Sequence, residues 1–187
     1  MSSRFSFHPT PLAGLILVER KPVSDDRGFL ERLFCAEEFA AEGIRLPMVQ
    51  ANRTVTTRKG TVRGMHYQHP PHAETKLVSC LVGKVFDVAI DLRRDSPTFL
   101  QWHGEELSAE NRKSLFIPAG FAHGLQTLED DCELLYFHSA VYVAEAEGGI
   151  HPQEPKIGIA WPLPVIEMSP RDRSHPALEN GFQGLAL

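Results

Sequence analysis

Val85-Phe86-Asp87-Val88-Ala89-Ile90-Asp91 alternates with a period of two: Phe86, Val88 and Ile90 fall on one face, Asp87 and Asp91 on the other. That period is the mark of a β-strand. Working outward, Leu15 to Glu19, Phe29 to Phe34, Met48 to Thr57, Thr61 to Gln68 and Thr75 to Val82 read as strands before it. Gln101 to Leu107, Leu115 to Ile117, Gly124 to Thr127 and Cys132 to Tyr142 read as strands after it. Glycine and proline punctuate the intervals. One helix stands out, Ala36 to Glu42, with Gly43 placed to cap its C-terminal end. Many short strands and a single short helix predict an all-β chain, a sandwich or jelly-roll barrel. From Ile157 the sequence is proline-rich and less regular, and is expected to wrap the barrel as loops and short helical turns, leaving residues 1–187 as one domain.

Composition narrows the function classes. The 187 residues are 42% hydrophobic and 23% charged, enough apolar material for an ordinary core. The formal charge is −5, and no basic cluster exceeds Arg93-Arg94, so the stripe that releases counterions from nucleic acid is missing. The three cysteines, Cys35, Cys80 and Cys132, show no C-x-x-C spacing, and the last two sit in apolar, strand-like surroundings. No apolar run approaches the ~18 residues of a membrane span, and Leu12 to Val18 runs straight into Glu19-Arg20-Lys21 with no small-residue cleavage site. A cytoplasmic, reduced protein with no membrane partner is expected. With no G-x-S-x-G elbow, P-loop or G-x-G-x-x-G, hydrolase, nucleoside-triphosphatase and dinucleotide readings have no support.

Two segments carry candidate chemistry: Arg63-Gly64-Met65-His66-Tyr67-Gln68, followed by Lys76, and Ile117-Pro118-Ala119-Gly120-Phe121-Ala122-His123. The spacing of Pro118, Gly120 and His123 resembles the second motif of the cupin superfamily. A metal-binding cupin would carry H-x-H and a downstream glutamate in its first motif. Here Gln68 stands two residues after His66, on the same strand face, and removes an imidazole ligand. His69, His72 and Glu74, around Pro70-Pro71, read as solvated loop residues. No metal is expected. Strict alternation would put Arg63 on the opposite face from His66, unless Gly64 hosts a bulge that turns both inward.

The ordered set is similar to the dTDP-4-dehydrorhamnose 3,5-epimerase family. Arg63 to Gln68, Lys76-Leu77-Val78, Gly83 to Val88, Asp95 to Phe99, Leu107 to Asn111, Ile117 to Gly124 and Gly158 to Pro162 carry the likeness in sequence order. The resemblance implies a cupin-type jelly roll, a homodimer, and no cofactor. It implies as substrate a nucleoside-diphospho-4-keto-6-deoxysugar, inverted at C3, C5 or both. By that likeness His66 is the general base, Asp172 the carboxylate that orients it, and Tyr136 the proton donor on the far face of the sugar. Lys76 and Arg63 stand around the keto oxygen and substrate with His123 beside them, and Arg27, Gln50, Asn52, Glu147 and Arg171 contact the sugar nucleotide. In a dimer, Arg27 to Leu33 would reach the neighbouring site.

The chemistry asks for those residue types. Removing a proton beside a ketone leaves an enolate, which requires a base, a cation at the oxygen and an acid. Histidine, ordinarily titrating near ~6.5, suits the first task. A carboxylate fixes its tautomer, lysine supplies the charge, and inversion needs a second proton carrier on the other face. The sequence departs from the family at three places: Arg32 where glutamate is common, Phe137 where a base is common, and Ala51 where aspartate is common. A single-site epimerase or ketoisomerase on another ketosugar is the neighbouring reading. A metal-dependent oxygenase and a non-enzymatic sugar-binding module are the alternatives from other classes.

Overall fold

The computed structural model describes residues 3–45, 47–178 and 181–187. Its strands, in chain order, are β1 (Phe5–Pro9), β2 (Ile16–Arg20), β3 (Val23–Asp25), β4 (Gly28–Leu30), β5 (Gln50–Thr56), β6 (Val62–Gln68), β7 (Lys76–Val82), β8 (Lys84–Asp91), β9 (Trp102–Ser108), β10 (Lys113–Ile117), β11 (Phe121–Thr127), β12 (Cys132–His138) and β13 (Glu147–Gly149). Two short helices, α1 (Ala36–Ala41) and α2 (Pro170–Arg173), complete the regular structure together with one 3-10 turn at Ala144–Ala146. One sheet runs β1-β2-β10-β7-β12-β5 and the other β13-β6-β11-β8-β9, all antiparallel, with β3-β4 as a separate hairpin. This is the jelly-roll barrel the sequence predicts.

Period-two alternation distributes the side chains between three layers. Leu17, Val78, Cys80, Val85, Ala89, Leu107, Leu115, Phe121, Leu125 and Leu134 come from both sheets and fill the barrel interior. On the outer face of the five-stranded sheet, Met65, Tyr67, Val88, Ile90 and Ala122 are covered by Ile157, Trp161, Leu178 and Leu185. The proline-rich C-terminal stretch therefore wraps the barrel, as expected. Phe39 of α1 closes the outer face of the other sheet with Phe5, Val18, Leu77 and Phe116. Gly43 ends that helix at φ +77.

The two faces of β8 are both covered. Asp87 and Asp91, on the face opposite Phe86, Val88 and Ile90, are both fully buried. The C-terminal wrap covers the apolar face that Phe86, Val88 and Ile90 form, so the aspartate face is the one that lines the interior. It survives there because each carboxylate is paired: Asp91 with Arg93, Ser96 and Thr98, and Asp87 with His123.

The bulge at Gly64 is present. His123 opposes His66 while Leu125 opposes Arg63, so β6 takes three steps where β11 takes two. Gly64 has φ +129, and a Cβ there would lie 2.5 Å from the Cα of Gly124 and 2.9 Å from the carbonyl oxygen of His123. Only glycine lets the two backbones approach so closely. The extra residue brings Arg63 round to the face of His66. Among the described residues no helix is long and apolar enough to cross a membrane.

Candidate active site

At one end of the barrel the interior side chains change from apolar to polar and leave a cavity of about 280 Å³. Both sheets supply its walls: Asn52, Thr54, Lys76, Tyr136 and His138 from β5, β7 and β12, and Arg63, His66, Gln68, His123, Leu125 and Glu147 from β6, β11 and β13. Glu74, Tyr142 and Arg171 close the rim. The cavity thus gathers eight of the expected site residues: Asn52, Arg63, His66, Lys76, His123, Tyr136, Glu147 and Arg171.

Asp172 stands directly behind His66, 2% exposed, with Oδ1 2.8 Å from His66 Nε2. Its other oxygen accepts the backbone N–H of Gly64 at 3.2 Å. Ser169 caps α2 by accepting the N–H of Asp172, with Pro170 at the first helical position. Burial alone would raise the pKa of Asp172; the hydrogen bond and charge of His66, the Gly64 N–H and Ser169 outweigh it and hold it at about 2. The ionised carboxylate takes the Nε2 hydrogen, which leaves the imidazole lone pair on Nδ1. Arg171 Nη2 lies 3.2 Å from the same Nε2, while its Nη1 grips both oxygens of Glu147 at 2.9 Å.

Two further imidazole–carboxylate pairs line the cavity. His123 Nε2 is 2.8 Å from Asp87 Oδ1. His138 donates from Nδ1 to Glu74 Oε2 at 2.8 Å and faces the Asn52 amide, 3.3 Å from Nε2. Glu74 also holds Lys76 Nζ at 3.2 Å, and both side chains are 9% exposed. Burial works against its charge, yet His138 and Lys76 keep its pKa below the usual carboxylate range. The ring of Tyr136 lies between His123, edge-on at 5.9 Å, and His138, stacked at 6.0 Å. Burial, reinforced by the charge of Asp87, pushes its phenol far above the ordinary value, so Tyr136 keeps its hydroxyl hydrogen at neutral pH.

Other expected residues stand elsewhere. Arg27 lies outside the cavity, on the β3-β4 hairpin, with its side chain 89% exposed and paired to Asp25 at 2.6 Å. A three-residue strand and tight turn carry it away from the barrel. Gln50 does not line the cavity either; its Oε1 accepts the backbone N–H of Tyr142 and so steadies the rim. Glu74 is no solvated loop residue, because the chain after Pro71 turns back into the barrel and brings it beside Lys76. Sequence reasoning also missed His138, although the period of two from Tyr136 on one strand was a usable signal. Asp87 had no such signal, since only the fold shows what it faces. Arg32 pairs with Glu38 on α1 at 2.6 Å, and Phe137 packs against Phe34, so neither alters the cavity of its own chain.

Gln68 occupies the position a second metal-binding imidazole would take. Its amide donates to the carbonyls of His72 and Val141 and accepts the N–H of Val143. All three bonds tie loops to the barrel.

Residues 9–180 match a family model described as dTDP-4-dehydrorhamnose 3,5-epimerase. A curated relative of that name from Salmonella typhimurium is 41% identical over 175 residues, covering 92% of this chain and 95% of the relative. The crystal structure of dTDP-6-deoxy-D-glucose-3,5-epimerase from Legionella pneumophila, in complex with dTDP-4-keto-L-rhamnose, superposes with a TM-score of 0.90 at 36% identity, covering 98% of this chain and 99% of that one. A 3′-monoepimerase from Streptomyces bikiniensis in complex with dTDP-quinovose gives 0.84 at 34% identity, with 91% and 86% covered.

The depressed pKa of Asp172 has a consequence for stability. The ionised group stabilises the fold at pH above its ordinary value near 3.8, and that contribution is lost as pH falls toward about 2. Urea unfolding of the wild type and Asp172→Asn should differ by about 2 kcal/mol at neutral pH, with the gap closing across that acid window. A gap that does not change with pH would contradict the electrostatic account.

Proposed function

The chain belongs to the dTDP-4-dehydrorhamnose 3,5-epimerase family and is a sugar-nucleotide epimerase, and on that premise we propose that it inverts C3 and C5 of a dTDP-linked 4-keto-6-deoxysugar by metal-free proton transfer through an enolate. One observation carries the reading: His66 and Tyr136 line the same cavity from opposed sheets. A sugar held between them meets a base on one face and an acid on the other. His66, oriented by Asp172, takes the proton from the carbon beside the ketone. Lys76 supplies the positive charge for the developing oxyanion. Tyr136 returns a proton to the far face, which inverts the centre. Arg63, His123, Asn52, Glu147 and Arg171 hold the sugar nucleotide. The commitment of Gln68 to backbone groups supports a mechanism without a metal ligand set. The oxygenase and binding-module readings give way to family membership.

The same reading makes the molecule a cytoplasmic homodimer of one-domain chains. Phe29 and Leu30 on the β3-β4 hairpin are 62% and 70% exposed, and Arg27 beside them has no role in its own cavity. Strand β5 ends its sheet with one edge unpaired by any strand among the described residues. A second copy taking the hairpin would cover the apolar pair and bring Arg27 to a site. Light scattering at micromolar concentration should give twice the chain mass; a monomer would count against it.

Tyr136→Phe should separate the two halves of the reaction. The base, its carboxylate and Lys76 remain, so deuterium from heavy water should still enter the substrate. The inverted product should fall by a much larger factor, within the roughly 10²–10⁴-fold typical of an acid–base group. Both are followed in one sample by proton NMR. Equal loss of exchange and inversion would remove the two-face assignment.

A further inference from the structure

We propose that His66, Asp172 and His175 form a binding site for a divalent transition-metal ion of the zinc class, and that the bound ion inhibits the enzyme by occupying its base. The inhibitory half rests on the reading of His66 as that base. The site is local in origin. Asp172 lies in α2 and His175 follows directly after its C-cap Ser174, so one short segment carries both. His66 approaches that segment from β6. One donor atom from each residue lies within 4.8 Å of the others. Bonds of about 2.0–2.1 Å in a tetrahedral site keep ligand atoms roughly 3.3 Å apart. His66 Nε2 and Asp172 Oδ1 are already 2.8 Å apart, so the main adjustment is for His175 to move inward.

A second observation points to a ligand at the same place. His175 Nε2 is buried and has no hydrogen-bond partner among the described residues. The ring is nonetheless firmly placed, edge-on to His66 with centroids 5.7 Å apart. It packs over Gly149, where a Cβ would lie 2.1–2.5 Å from three ring atoms, so the glycine makes the room. A buried imidazole nitrogen without a partner, on a ring that stands beside a histidine–aspartate pair, leaves that ring free to give a lone pair to a metal ion. Two imidazoles and a carboxylate form a three-ligand zinc set with one position open.

Charge sets the limits. Arg171 Nη2 stands 3.2 Å from His66 Nε2 and opposes a cation, but its side chain is 52% exposed and tethered to Glu147, so it can swing outward. The ion takes the lone pair of His66 Nε2: the hydrogen that Nε2 shares with Asp172 shifts to Nδ1, and no net proton is released. Asp172 and His175 contribute lone pairs, and nothing is oxidised or reduced. With Nε2 on the ion and the hydrogen on Nδ1, His66 has no lone pair left to take a proton, so proton abstraction stops until the ion leaves.

Cobalt(II) is the probe, because tetrahedral cobalt absorbs visible light. Titrating chelator-stripped full-length protein with cobalt(II), without substrate, should produce that absorption in the wild type, and zinc(II) should displace it. His175→Ala and the bulkier His175→Gln should lose it. Zinc(II) should inhibit wild-type epimerisation reversibly, and both variants should need about tenfold more zinc or beyond for the same inhibition. Their metal-free turnover should stay within a few-fold of wild type. No absorption in the wild type, or equal absorption in both variants, would overturn the site. Cobalt bound through His175 with turnover unaffected would overturn the inhibitory role, and with it the assignment of His66 as the base.

Discussion

The hydrogen bond between His66 Nε2 and Asp172 Oδ1, 2.8 Å long, joins the barrel to the segment that closes it. One oxygen of that carboxylate orients the imidazole; the other accepts the N–H of Gly64, the residue at the bulge. The same short helix is capped by Ser169, and the chain just before it is held to β6 by the bond from Val62 N to the carbonyl of Glu167. Orientation of the His66 imidazole, the path of β6 and docking of the C-terminal wrap are therefore one structural event. Glycine at 64 makes it possible, because any Cβ would meet β11.

The rest of the site follows from a single rule about buried imidazoles. Each of the three histidines that line the cavity has a carboxylate of its own: Asp172 for His66, Asp87 for His123, Glu74 for His138. A desolvated ring needs a partner to fix its hydrogen, and a desolvated carboxylate needs a donor. The pairs satisfy both needs, and they hold Tyr136 between two rings of fixed orientation. Lys76 is held the same way by Glu74. The cavity is preorganised: its charged groups are already placed before a substrate arrives.

Much of this was legible in the sequence, for a physical reason. Alternation along Val85–Asp91 and its neighbours reports strands, and Gly64 between Arg63 and His66 reports the bulge that brings both inward. The second face of a strand is a different matter. Asp87 looks solvated until the C-terminal wrap is seen to cover the opposite face. Glu74 looks like loop because the prolines at 70 and 71 hide the turn back into the barrel. The hairpin of Val23–Leu30 is three residues a side, too short for periodicity to show, and Arg27 on it belongs to no cavity of its own chain. Pairing partners distant in sequence, such as Asp87 with His123, lie beyond any local pattern. The family likeness supplied His66, Asp172 and Tyr136 together, which no single strand pattern could.

The central claim is that His66 moves protons at the carbons beside the ketone. Proton NMR of dTDP-4-keto-6-deoxyglucose in heavy water, with the wild type and with His66→Ala, tests it most directly. The account predicts deuterium at both C3 and C5 with the wild type, and exchange reduced by about 10²–10⁴-fold with the variant. Near-normal exchange by His66→Ala, or none by the wild type, would contradict it.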